Sequence, residues 1–126
     1  MRKNAKEWLK QAKYDIETAE YLLKGERNSY AVFLCHLSIE KALKGVYQKR
    51  VGRIAPKTHN FIYMLRKSEI EPPQEYRKFL AKLNGASVIT RYPENLEKVK
   101  KFYPLTVVKE IVHKSKQTLE WIESMY

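Results

Sequence analysis

Three short stretches of the chain carry side chains able to do chemistry. Leu34-Cys35-His36-Leu37-Ser38-Ile39-Glu40-Lys41-Ala42-Leu43-Lys44 sets His36, Glu40 and Lys44 at i, i+4 and i+8. On a helix those three side chains share one face. Their neighbours are apolar, so the stripe lies on or beside packed surface, where polar groups need partners or a task. Lys57-Thr58-His59 follows at short range. An imidazole titrates near neutral pH and can act as acid or base toward an RNA 2′-hydroxyl. Lys57 and Arg53 can hold a phosphate and offset the charge that develops on it. Arg91-Tyr92-Pro93 joins a cation, an aromatic ring and a rigid turn, a set suited to stacking on a base while contacting phosphate.

Each group also has a plainer role open to it. His59 can hydrogen-bond a backbone group or a carboxylate such as Glu40. Glu40 can orient a histidine or accept from Lys41 or Arg91. Together His36, Glu40 and Lys44 can fix the register of packed helices. Tyr92 can pin its loop by packing, with Arg91 paired to Glu40 or Glu94. Three scattered histidines and one cysteine give no ligand spacing for a metal. No glycine-rich phosphate loop is present either, so no cofactor is expected, and nucleotide contacts would rest on side chains and helix ends.

The elements that must position these groups read as helical throughout. Ala5, Trp8, Leu9, Ala12, Ile16, Ala19, Leu22 and Leu23 recur at helical spacing and predict a helix from about Asn4 to Lys24, stopped by Gly25. A second helix, about Ser29 to Arg50, is capped by Asn28 or Ser29 and closed by Gly52. Its stretch Tyr30–Leu37 is almost wholly apolar, as expected of the most buried helix. Thr58 is positioned to cap a short helix from about His59 to Lys67. Pro73 starts a fourth, about Gln74 to Asn84, ended by Gly85 or continuing to Ile89. The stretch Thr90–Pro104 reads as irregular. A last helix begins near Leu105 and carries Val108, Ile111, Val112, Leu119 and Ile122 to the end of the sequence. The fold class is therefore all-α: an antiparallel, up-and-down, four-helix-bundle-like domain over residues 1–126, with about five helices, three long and two short.

The net charge is +11 over 126 residues, and it is unevenly spread. Residues 41–68 carry eight Lys/Arg and no acid, and 76–93 and 98–109 are basic and acid-free as well. Lys98, Lys100, Lys101 and Lys109 form a basic face that can steer a polyanion without reading it. The nine tyrosines and two tryptophans exceed what a small bundle buries, which points to a partner surface or a homodimer interface. No apolar run is long enough to span a membrane, and none near the N-terminus reads as a secretion signal. The lone Cys35 fits a buried small residue in a reducing compartment. A cytoplasmic protein is expected.

The chain resembles the HEPN family, small helical domains named for higher eukaryotes and prokaryotes and for nucleotide binding. The carriers are Trp8-Leu9 with Ala12 and Asp15; Ala31 to Phe33 with His36; Glu40-Lys41-Ala42-Leu43-Lys44; Lys57-Thr58-His59 with Leu65; and Arg91-Tyr92-Pro93. The resemblance implies a helical bundle that dimerises, often encoded beside a minimal nucleotidyltransferase. It also implies a role either as a ribonuclease toxin in toxin–antitoxin or defence systems or as a non-catalytic binding or interaction module. Catalytic members carry an arginine, four to six residues, then a histidine, and cleave RNA without metal. Here Arg53 precedes His59 by that spacing, with Ile54 where a polar residue is usual. Arg91 lies nearer the family position, and the next histidine after it is His113. The leading expectation is a module that binds nucleotide or RNA through His36, Glu40, Lys41, Lys44, Lys57, His59, Arg91 and Tyr92. The alternatives are a metal-independent endoribonuclease using His59 with Arg53 or Arg91, and a pure protein-interaction module.

Overall fold

The computed structural model describes residues 3–126. Among them are seven helices and no strand: α1 (Ala5–Lys24), α2 (Asn28–Val51), α3 (Phe61–Lys67), α4 (Gln74–Asn84), α5 (Ala86–Arg91), α6 (Leu96–Phe102) and α7 (Leu105–Glu123). The count exceeds the five expected. The difference lies between Gly85 and Pro104. Gly85 separates α5 from α4, and Asn95 caps a further seven-residue helix by accepting from the Lys98 N–H at 3.1 Å. That cap makes α6 out of a stretch with no long apolar period.

The long helices form the frame. Ion pairs Lys13–Glu123 (2.6 Å) and Lys116–Glu20 (3.3 Å) run antiparallel between α1 and α7. The three-residue turn after α1 returns α2 antiparallel to it. Contacts of Asn28 with Tyr103 and of Ala42 with Tyr126 set α7 parallel to α2. Helices α3 to α6 occupy the place of the bundle's remaining member. Small residues let α1 and α2 approach closely: Ala12, Ala19, Ala31 and Ala42 are fully buried, and Ser38 Oγ donates to the Ala12 carbonyl at 2.7 Å.

Helix α2 is central and buries residues on every side, from Ala31 and Val32 to Val46 and Tyr47. Its polar residues therefore either face a neighbouring helix or break the surface where a short helix crosses. The caps differ in detail from expectation. Arg27 takes the N-cap position of α2 without a side-chain bond, while Asn28 Nδ2 donates instead to the Tyr103 carbonyl at 3.2 Å. Asn60, not Thr58, caps α3, accepting from the N–H groups of Ile62 and Tyr63. Thr58 Oγ1 accepts from the Asn60 N–H at 3.1 Å, one step upstream. Both departures leave His59 in the extended lead-in to α3 rather than on the helix.

Candidate functional site

Glu40 is the centre of the polar cluster on α2. Its side chain is almost wholly buried, and its two oxygens are divided between partners. Lys44 Nζ lies 3.1 Å from Oε2, one turn along the same helix. His59 Nδ1 lies 2.7 Å from Oε1. The far nitrogen of that ring, Nε2, is 3.1 Å from Arg91 Nη1. A line of contacts thus runs from Lys44 through Glu40 and His59 to Arg91, from inside the bundle to its surface. A guanidinium has no acceptor. Arg91 must therefore donate to Nε2, and His59 must carry its proton on Nδ1 and donate to Glu40.

The elements explain the meeting. The lead-in to α3 crosses α2 at Glu40, held there by Asn84, whose Oδ1 accepts from the Phe61 N–H at 2.8 Å. Helix α5 packs on α2 and delivers Arg91 at its last turn. The Arg91 guanidinium lies over the Phe33 ring, 5.0 Å from its centroid, a cation–π contact that fixes its plane. Arg91 Nε is buried without a hydrogen-bond partner. Its neighbour Tyr92 is 73% exposed, and the His59 side chain is half exposed at 52%.

His36 belongs to the core beneath this line rather than to its surface. It is fully buried, stacks on Phe61 at 4.3 Å between centroids, and neither ring nitrogen has a hydrogen-bond partner. Its Nδ1 sits 3.8 Å from Glu40 Oε1, beyond bonding distance. Burial pushes its pKa down to about 4, with Glu40 pulling the other way, so the ring is neutral at physiological pH. Lys41 faces α1 instead and pairs with Asp15 at 2.9 Å. Burial raises the Asp15 carboxyl pKa and the Lys41 pairing counters it. Lys57 and Arg53 are exposed on the loop before α3, and no hydrogen bond joins Arg53 to His59. Arg91 forms neither of the ion pairs considered for it, with Glu40 or Glu94; the imidazole stands between it and Glu40.

Asn84, Asn60, Phe33 and Phe61 hold the cluster together; of these, only Phe33 stands among the residues the sequence marks, and there for its place on the apolar face of the second helix rather than for a contact with Arg91. Asn60 was findable, since asparagine caps as well as threonine. Asn84 was hidden by Gly85 after it, a pair that reads only as a helix end. The groove between α4 and α7, about 460 Å3, is lined by residues such as Phe79, Lys82 and Ile111 and includes none of this cluster. Among the described residues no three His, Cys, Asp or Glu side chains form a metal-ligating group, and no helix is long and apolar enough to cross a membrane.

A family model described as HEPN domain matches residues 5–125. The fold is similar to the crystal structure of TT1696 from Thermus thermophilus, with a TM-score of 0.84 and 21% identity over 97% of this chain and 98% of that one. It is also similar to ST0689, described as an archaeal HEPN homologue, with a TM-score of 0.78 and 26% identity over 97% of both chains. No curated protein matches the chain.

Proposed function

The chain belongs to the HEPN domain family, and on that premise we propose that it is a binding module for a nucleotide or single-stranded RNA, seated at Arg91 and Tyr92. Arg91 grips phosphate and Tyr92 offers a stacking face. Lys57 adds charge from the loop before α3. Glu40, with Lys44 behind it, fixes the imidazole of His59, which positions the guanidinium. The observation that carries this reading is the line Lys44–Glu40–His59–Arg91, which leads from a buried carboxylate to a surface cation beside an exposed aromatic. A buried carboxylate with this many donors is a costly arrangement for stability alone, and it gives an arginine a defined pose.

Binding is favoured over cleavage by the same geometry. A general base in RNA cleavage needs a free ring nitrogen, and both nitrogens of His59 are engaged, one by Glu40 and one by Arg91. Family resemblance supports a homodimer and a neighbouring minimal nucleotidyltransferase, to which any nucleotide transfer would then belong. The test is fluorescence anisotropy of labelled oligouridylate and of a labelled adenine nucleotide. Arg91→Ala is expected to weaken binding about tenfold or more, the scale of a charged hydrogen bond, and Tyr92→Ala about five- to tenfold. Unchanged affinity in both variants overturns the assignment. Metal-free cleavage of mixed RNA by wild type that is lost in His59→Ala would replace binding with ribonuclease chemistry.

A further inference from the structure

We infer that Tyr30 is a second stacking platform beside Arg91. The ligand is then a single-stranded oligonucleotide of two residues or more, with one base on Tyr92, the next on Tyr30 and the phosphodiester between them on Arg91. The inference rests on the ligand reading above and narrows it from a nucleotide to a strand.

Tyr30 lies in the first turn of α2 and is 56% exposed. Among the described residues its hydroxyl makes no hydrogen bond and its ring pairs with no other aromatic ring, so the bundle makes no use of it. Phe33 follows at i+3, on the same side of the helix and one turn along. The Arg91 guanidinium covers the Phe33 ring at 5.0 Å, so the phosphate-gripping group sits one helical turn from Tyr30. The path of the chain brings Tyr92 to the same end of α2. After α5 the chain is tied to α2 at two points: Arg91 lies on Phe33, and the Tyr103 carbonyl accepts from Asn28 Nδ2 at 3.2 Å. Tyr30 stands between those two ties on the helix, and Tyr92 begins the stretch that they hold. One exposed ring is thus carried by α2 and another by the end of α5, with the guanidinium in the same neighbourhood. Unstacked bases of a single strand lie on such rings, and every base has the face this needs. A mononucleotide carries one base and fills one ring, whereas a phosphodiester has a nucleoside on either side. Tyr14 is as exposed as these two, yet it lies among side chains of α1 alone.

The test compares two ligands of equal charge, titrated against the protein by amide NMR. One is the dinucleotide UpU. The other is the methyl ester of UMP, which has the same single diester charge and one base. Wild type should bind UpU at least about fivefold tighter than the ester, the lower end of what one base–aromatic stack contributes. Tyr30→Ala should remove that advantage and leave the affinity for the ester unchanged. Tyr30→Phe keeps the ring and should keep the advantage, and Tyr14→Ala should alter neither ligand. A dinucleotide advantage that survives in Tyr30→Ala overturns the second platform while leaving Arg91 and Tyr92 in place. So does a wild type that binds both ligands equally. An equal loss of both ligands in Tyr30→Ala makes the ring structural and overturns it too. Absence of binding of either ligand to wild type overturns the site reading itself and the inference with it.

Discussion

At the scale of single residues, the cluster divides its histidines by environment. His59 sits at the surface with both nitrogens engaged, whereas His36 sits in the core with neither engaged. The buried ring carries a penalty that appears with acid. Burial sets its folded pKa at about 4 against 6.5 for the ordinary group. The unfolded chain therefore takes up a proton that the folded protein refuses. His36's share of stability is complete above pH ~6.5 and is lost as pH falls toward ~4, a loss of up to about 3 kcal/mol. His36→Leu should remove that limb of the acid curve. It should also keep or raise stability at pH 7, because the unpaired ring nitrogens go with it. Urea titrations of both proteins at pH 7 and pH 4.5 check this, and an equal acid loss in the two would be the contrary result. Cys35 is buried too, its thiol pKa raised by burial to about 12, so it is inert as a nucleophile.

At the scale of elements, the short helices matter more to the site than the long ones. Asn60 fixes the first turn of α3 through two N–H groups and is gripped in turn by the neighbourhood of Asn84. Asn60→Ala should cost about 1 kcal/mol in stability. Because His59 is the preceding residue, the change should also loosen the imidazole from Glu40, seen as a shift in the His59 ring resonances. The long helices were legible in the sequence because α1 and α7 are amphipathic and period alone marks them. Helix α2 was legible for the opposite reason: its stretch Tyr30–Leu37 is almost wholly apolar, and strong helix formers follow it. The meeting of Glu40 and His59 was legible as one possibility among several. The bond from Arg91 to His59 was not. It depends on where two short helices cross α2, and such crossings are set by caps and tertiary packing rather than by periodicity. Helix α6 escaped notice for a related cause. It is seven residues long, buries only Val99, and owes its start to Asn95. Lys41 misled because adjacency to Glu40 in sequence places it about a hundred degrees round the helix, against α1.

At the scale of the whole molecule, the +11 charge gives the site a field as well as a contact. Affinity for oligouridylate should fall steadily as salt rises from about 50 to 200 mM, a decrease that scales with the phosphates neutralised. Lys98→Glu with Lys101→Glu should slow association while leaving dissociation nearly unchanged; stopped-flow mixing separates the two. An unchanged on-rate would reduce this face to a solubilising surface. The three ties among α1, α2 and the loop before α3 meet at Gln48. Its Oε1 accepts from Trp8 Nε1 and the Ala55 N–H, both at 3.1 Å, and its amide nitrogen donates to the Lys3 carbonyl. Above the same indole lies Lys44, 5.6 Å from the ring centroid, whose ammonium is also the inner partner of Glu40. Trp8 is therefore an optical gauge wired to the cluster. A change in the pose of Glu40 alters the charge over an indole, and charge over an indole alters its emission. The other tryptophan, Trp121, stacks on Tyr76 between α4 and α7, so the tryptophan emission of a Trp121→Phe protein comes from Trp8 alone. The molecule carries its own dye, held by Gln48 and lying under the same lysine that steadies the carboxylate, with Lys3 nearer the ring at 4.5 Å.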